Sequence, residues 1–315
     1  DKEIEQAGLA KQGDNGMYDR FRSRIMFPIT DTSGRVIAFS GRIFEPGLPA
    51  DVIEKSAKYL NSPDTPVFNK SMVLYGLDKA KDSIRKNNFS ILVEGQMDLV
   101  LSHQAGFKNT VATSGTALSD KEETKERAVS NLGLVRRLST NIVIAFDADK
   151  AGLNASSRAS KIALSLGMDV KVAKMEKGLD PADTILQKGV DAWRESIRNS
   201  KHVIEFLLDN VLEDFKEDTR KAGREIKEKV LPYVNFIESS IEKTHFLKRI
   251  SDASGIPIEA LQSDLKNIEV EYTTERNELE ALKEGGNKLF RKDHIERRLV
   301  GIVLWQKSLV EQKFD

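Results

Sequence analysis

Two short apolar runs, each closed by an acid, interrupt a chain whose other hydrophobic positions are spaced for helices and half-buried strands. The first is Ser90-Ile91-Leu92-Val93-Glu94-Gly95-Gln96-Met97-Asp98. Its apolar part predicts a strand buried on both faces. Glu94 then falls at the C-terminal end, where open α/β sheets bind ligands. Gly95 permits a tight turn, and Asp98 enters the first turn of the next helix. The second run, Asn141-Ile142-Val143-Ile144-Ala145-Phe146, leads into Asp147-Ala148-Asp149-Lys150-Ala151-Gly152. Around them, residues 89–188 alternate between strands (89–94, 110–113, 141–146, 169–174) and helices (97–105, 120–138, 152–166). That alternation predicts a parallel sheet with right-handed crossovers.

The flanking segments carry other periods. Residues 1–88 read as an N-terminal basic subdomain, which the family resemblance given below implies is truncated at its start. In it, Tyr18 to Ile29 alternates basic and apolar residues, predicting a strand with one buried and one cationic face. Thr32-Ser33-Gly34-Arg35 reads as a hairpin turn, and Val36 to Arg42 as the return strand. The Pro-, Asn- and Ser-containing stretch from Ala57 to Lys70 reads as an irregular loop. There Lys58 and Lys70 flank polar side chains, Asn61 and Ser62 among them, of the kind that hold phosphates. Residues 189–268 turn helical, with segments 201–215, 217–242, 244–254 and 257–267. Residues 269–290 read as an acidic, then Gly-containing linker, and 291–315 as the start of a C-terminal helical domain. The overall class is α/β, or α+β across the whole chain, with a C-terminal helical bundle.

Composition narrows the chemistry. The 315 residues are 39% hydrophobic, and the formal charge is +0, so any nucleic-acid surface is a local patch. There are no cysteines. That excludes disulfides and thiolate zinc sites within these residues, and it suits a reducing, cytoplasmic setting. No apolar run approaches the roughly 20 residues of a membrane span. The chain starts without Met and in mid-pattern, as an excised piece does.

Residues i and i+2 of an extended backbone share a side, so Asp147 and Asp149 can both face the end of Glu94's strand. Three converging carboxylates repel one another unless a cation joins them, and hard oxygen ligands suit Mg²⁺ or Mn²⁺. Lys177 to Asp183 adds Asp180, read as a helix cap before Pro181, and Asp183, read as a ligand or a first-turn acid. The four histidines have no metal-ligand spacing.

Glu94, Gly95 and Asp98, followed about fifty residues later by Asp147, Asp149 and Gly152, resemble the Toprim fold. That fold, with a Rossmann-like central parallel sheet, is shared by bacterial primases, type IA and II topoisomerases, OLD-type nucleases and RecR-like proteins. The blocks from Tyr18 to Ile29, Gly34 to Arg42, Lys58 to Thr65, Phe68 to Lys70 and Leu74 to Leu77 resemble bacterial DnaG-type primases over roughly residues 5–250. The resemblance implies an RNA polymerase core that makes RNA primers from NTPs on single-stranded DNA, with residues 89–188 as its catalytic Toprim domain. It implies Glu94, Asp147 and Asp149 as catalytic metal ligands for two or more Mg²⁺ or Mn²⁺ ions. Asp98, Asp180 and Asp183 join them as outer members of the acidic site. Arg42, Lys58 and Lys70 are implied to face template or triphosphate, and Arg20, Arg22 and Arg24 are weaker candidates. The family's zinc module is absent from this chain, in keeping with zero cysteines. Its helicase contact belongs to a C-terminal domain that 291–312 match at most by one helix. Helicase binding is therefore expected of a full-length protein rather than of this piece. The competing readings are a Toprim topoisomerase or nuclease, and a Toprim module that only binds DNA. Against the first, none of the five tyrosines has the setting of a DNA-attacking nucleophile. Against the second, all three acids are retained.

Overall fold

The computed structural model describes residues 2–14, 16–69, 73–113, 131–147 and 150–271. A short helix, α1 (Lys2–Gln6), leads into a two-stranded ribbon of β1 (Ala10–Gly13) and β2 (Gly16–Asp19). An antiparallel sheet follows, in the order β3 (Arg24–Thr30), β4 (Val36–Ile43) and β5 (Tyr59–Asn61), with α2 (Ala50–Lys55) between the last two. The β3–β4 hairpin is held where the sequence predicts its turn. Asp31 Oδ1 accepts from the Ser33 and Arg35 amides at 2.8 and 3.0 Å, and Oδ2 accepts from Arg35 Nε at 2.8 Å.

The expected continuous strand from Tyr18 to Ile29 is two strands instead. Residues 20–23 turn between them, and Ser23 takes a left-handed φ of 53°. The basic alternation is therefore cut before it can present a single cationic face.

After α3 (Leu77–Asn87), the central unit contains β6 (Ser90–Val93), α4 (Gln96–Gln104), β7 (Thr110–Ala112), β8 (Asn141–Ile144), α5 (Lys150–Ser165) and β9 (Asp169–Val172). These four strands are parallel, as predicted. A fifth, β10 (Lys201–His202), adds antiparallel to β9, where the sequence reading had a helix from 201. The order is β10-β9-β8-β6-β7. From β6 the chain steps to β7 on one side, then crosses to β8 on the other, which makes the gap between β6 and β8 the switch point of the sheet.

Alternation along the buried strands divides two cores. Leu92, Ile142 and Ile144 pack on one face with α3, α5 and the later helices. Ile91, Val93 and Val143 pack on the other with Leu99 of α4 and with Trp193. Both faces are covered, which is why β6 and β8 read as unbroken apolar runs.

The helical region contains α6 (Pro181–Asp183), continued by a π turn over Thr184–Lys188, and α7 (Val190–Arg198). Then come α8 (Val203–Asp214), α9 (Thr219–Lys229), α10 (Leu231–Phe236), α11 (Ser240–Ser254) and α12 (Ile258–Glu271). The single helix expected over 217–242 is broken twice. Pro232, in the first turn of α10, cannot continue a preceding helix. Ser239 Oγ then caps α11 by accepting from the Glu242 amide at 3.3 Å. Ile226, Leu231, Ile250 and Leu265 share the core that covers the central sheet. Helix α12 runs past 269, where the linker was expected; the rest of that linker and residues 291–315 lie outside the described residues.

Candidate active site

Glu94 follows β6 and Asp147 follows β8, two adjacent parallel strands in register at Leu92 and Ile144. Both acids therefore stand at the same C-terminal sheet edge, beside the switch point. Between them lies Gly152, near the start of α5. A Cβ on Gly152 would sit 2.3 Å from the Asp147 carbonyl oxygen and 2.9 Å from Glu94 Oε1. Only a residue without a side chain lets α5, the Asp147 backbone and the Glu94 carboxylate come this close.

Asp98, buried in the first turn of α4, braces this edge. Its Oδ2 accepts from the Gly95 amide at 3.0 Å, and its Oδ1 accepts from the Ala182 amide at 3.1 Å. Burial pushes its carboxyl up to about 7. The negative charge of Asp180 adds to the rise, and the two amides oppose it. Asp147 adds a smaller push in the same direction. The sequence reading made Asp98 an outer metal ligand; with both oxygens engaged by backbone amides, it ties the β6–α4 turn to α6. Asp180 caps α6 as predicted, its Oδ1 accepting from the Asp183 amide at 2.6 Å. Asp183 is half-buried in that same turn.

Arg42 of β4 and Tyr59 of β5 are cross-strand partners. Arg42 Nη1 donates to Tyr59 Oη at 3.2 Å, and its guanidinium lies 5.6 Å from the ring centroid. Burial raises the Tyr59 phenol's pKa and Arg42 lowers it, while Asp98 and Asp180 each raise it. Tyr59 thus lies within electrostatic reach of Asp98 and Asp180, although it comes from the N-terminal subdomain.

The other candidates divide. Lys58 is exposed beside Tyr59. Arg22 is exposed and stacks over Tyr18 at 4.8 Å. Arg20 Nη2 donates to the Asn61 carbonyl at 3.1 Å. Arg24 Nη1 donates to the Gly41 and Ala57 carbonyls, each at 2.9 Å. Arg20 and Arg24 are therefore bound to backbone instead of facing outward as expected. Ser62 is fully buried and its hydroxyl accepts from the Phe39 amide at 3.0 Å, so it joins β4 to the β5 segment and is withdrawn as a phosphate contact. Asn61 is half-buried. Lys70 and Asp149 lie outside the described residues. Tyr59 was missed as a site residue, although its place beside Lys58 in a motif block was the available signal.

Among the described residues, no group of three or more acids or histidines could by itself hold a metal ion; Asp149, the third expected ligand, is not among them. The chemistry present nevertheless fits a divalent cation. The donors are hard carboxylate oxygens, the charges of Asp180 and Asp147 add to the burial that raises Asp98, and Gly152 keeps side-chain atoms out of the space beside Glu94 and Asp147.

A parallel sheet with acids at its switch point, flanked by an antiparallel subdomain that carries Arg42, is the architecture of the Toprim class. Residues 1–81 match the family model described as the DNA primase catalytic core, N-terminal domain, and residues 88–174 match the Toprim domain. A DNA primase of Clostridium acetobutylicum is 33% identical over 331 residues, covering 99% of this chain and 50% of that protein. The solved structure of a DNA primase domain from Pseudomonas aeruginosa is 32% identical, with a TM-score of 0.67, covering 84% of this chain and 79% of that one. A DnaG primase catalytic domain solved bound to ssDNA is 28% identical, with a TM-score of 0.66 and coverage of 81% and 76%. The chain belongs to the bacterial DnaG-type DNA primase family and corresponds to its catalytic core. It spans about half the length of the curated relatives it matches.

Proposed function

We propose that the chain synthesises short RNA primers from NTPs on a single-stranded DNA template during DNA replication. The observation that carries this reading is the pairing of Glu94 and Asp147 around Gly152 at one sheet edge, with Tyr59, the partner of Arg42, within electrostatic reach of Asp98 and Asp180. The 3′-hydroxyl oxygen of the bound nucleotide attacks the α-phosphorus of the incoming NTP. The α–β bridging P–O bond breaks, and pyrophosphate leaves. Such a transfer depends on positioning and charge neutralisation more than on a protein nucleophile. Glu94, Asp147 and Asp149 would hold Mg²⁺ or Mn²⁺, two or more ions, which would supply a lowered hydroxyl pKa and neutralisation of the leaving charge. Asp98, Asp180 and Asp183 support that set from behind. Arg42, Lys58 and Lys70 grip triphosphate or template backbone.

In this division, residues 1–88 guide the template, 89–188 carry the chemistry and 189–268 brace the sheet. No described helix is long and apolar enough to cross a membrane. The place of action is the replication fork in the bacterial cytoplasm, where a full-length protein meets the replicative helicase through residues beyond this core. The test is primer synthesis on ssDNA with NTPs and Mg²⁺ or Mn²⁺, run beside relaxation and cleavage of supercoiled DNA. Primer synthesis that disappears in Glu94→Gln supports the reading. Relaxation or cleavage without synthesis overturns it.

A further inference from the structure

Strand β4 points one face at the central unit. Ala38, Ser40 and Arg42 alternate onto that face. Ala38 packs with Ile29 and Phe68, and Tyr75 joins this small core. Tyr75 itself exchanges backbone hydrogen bonds with Ala112 of β7, both at 3.1 Å. Arg42, at the other end of the face, reaches Tyr59, whose phenol is in turn within electrostatic reach of Asp98 and Asp180. Between the two lies Ser40, with no exposed surface, whose Oγ accepts from Gln96 Nε2 at 3.0 Å. Gln96 is 2% exposed and is the first residue of α4, two positions after Glu94.

We infer that the buried Ser40–Gln96 hydrogen bond is a positioning pair that fixes Arg42 and its strand relative to the Glu94 turn. Ser40 lies two residues from Arg42 on one strand face, and Gln96 lies two residues from Glu94 in one tight turn. Each functional side chain thus hangs roughly 7 Å of backbone from the bond. The contact joins elements 56 residues apart. Apolar packing around Ala38 is non-directional and tolerates sliding, whereas a buried donor and acceptor are satisfied in one register only. The bond therefore supplies the orientation that packing alone does not. This inference rests on the primer-synthesis reading for its catalytic consequence, but not for its structural one.

The diagnostic variant is Ser40→Ala with Gln96→Met. Either change alone strands a buried polar group, whereas replacing both partners by apolar groups of similar size is tolerated. Because the chain has no cysteines, Val36→Cys and Lys108→Cys, both exposed, accept spin labels cleanly. Pulsed electron resonance then reads the distance between β4 and the α4–β7 side of the sheet. The expected result is a single narrow distribution in the parent and a broadened or shifted one in the double variant. Alongside it, kcat for primer synthesis falls at least 10-fold, while KM for NTP stays within 2-fold and circular dichroism reports the same folded fraction. An unchanged distance distribution overturns the inference whatever the activity, as does a loss of kcat that merely follows unfolding. A parent without synthesis defeats the proposed function and leaves the distance measurement to decide the pair.

Discussion

Gly152→Ala sets two known effects against each other at one position. Gly152 lies in helix α5 with an ordinary helical φ, so on propensity alone alanine stabilises by up to about 1 kcal/mol. The added Cβ, however, meets the Asp147 carbonyl oxygen at 2.3 Å, against about 3.4 Å for ordinary contact. Relief requires α5 and the Asp147 turn to part by about 1 Å, and overpacking of this kind costs about 1–3 kcal/mol. The net is a destabilisation of up to about 2 kcal/mol, or up to roughly 8 °C in Tm for a unit of 150–250 residues. Catalysis suffers more, because a misplacement of about 1 Å at reacting groups costs on the order of 100-fold. Gly223→Ala in α9 is the control, since its Cβ meets only Ile256 Cδ1, at 3.5 Å, and the propensity gain stands alone. Thermal unfolding in EDTA and primer synthesis in Mg²⁺ read both quantities. If Gly152→Ala behaves like Gly223→Ala, with Tm unchanged or raised and synthesis within 2-fold of the parent, the close approach of α5 to the two acids is refuted.

Glu94→Gln, Asp147→Asn and Asp149→Asn should each lower synthesis by about 100-fold or more while unfolding in EDTA is held or improved, since mutual repulsion is relieved; loss of stability with synthesis retained would assign these acids to capping instead. Asp98 holds its proton in the folded state up to about pH 7, while the unfolded carboxyl loses it near its ordinary value of 3.8. Between those values the folded state binds more protons, so metal-free stability should fall as pH rises from about 4 to 7, by at most about 4 kcal/mol, and level off above. Urea unfolding in EDTA at pH 5 and pH 8 measures this, and an unaltered difference in Asp98→Asn would remove Asp98 as its source. Arg42→Ala should reduce the salt slope of ssDNA binding by about 0.7, the share of one phosphate contact. Arg20→Ala and Arg24→Ala should instead lower Tm, because their guanidinium groups hold backbone carbonyls.

The local features of this protein were legible without a structure. Strands β6 and β8 announce themselves because a strand covered on both faces needs an unbroken apolar run. The acid that follows each is then placed at a sheet edge by chain continuity alone. Turns set by one residue, such as Asp31 before Gly34 or Asp180 before Pro181, were readable for the same reason. The break at Pro232 was also written in the chain, and helical spacing on both sides hid it.

What only the tertiary structure decided depends on contacts between distant residues. The order β10-β9-β8-β6-β7 puts β6 beside β8, and without that adjacency Glu94 and Asp147 would not meet at Gly152. An alternating pattern declares which residues share a face but not what the face meets. Arg20 and Arg24 were therefore indistinguishable from Arg22 until their carbonyl partners came into place, and Ser62 from a phosphate ligand until the Phe39 amide did. Ser40 and Gln96 carry no local signal, because each is an ordinary polar residue until folding brings positions 56 apart together and excludes water from the pair.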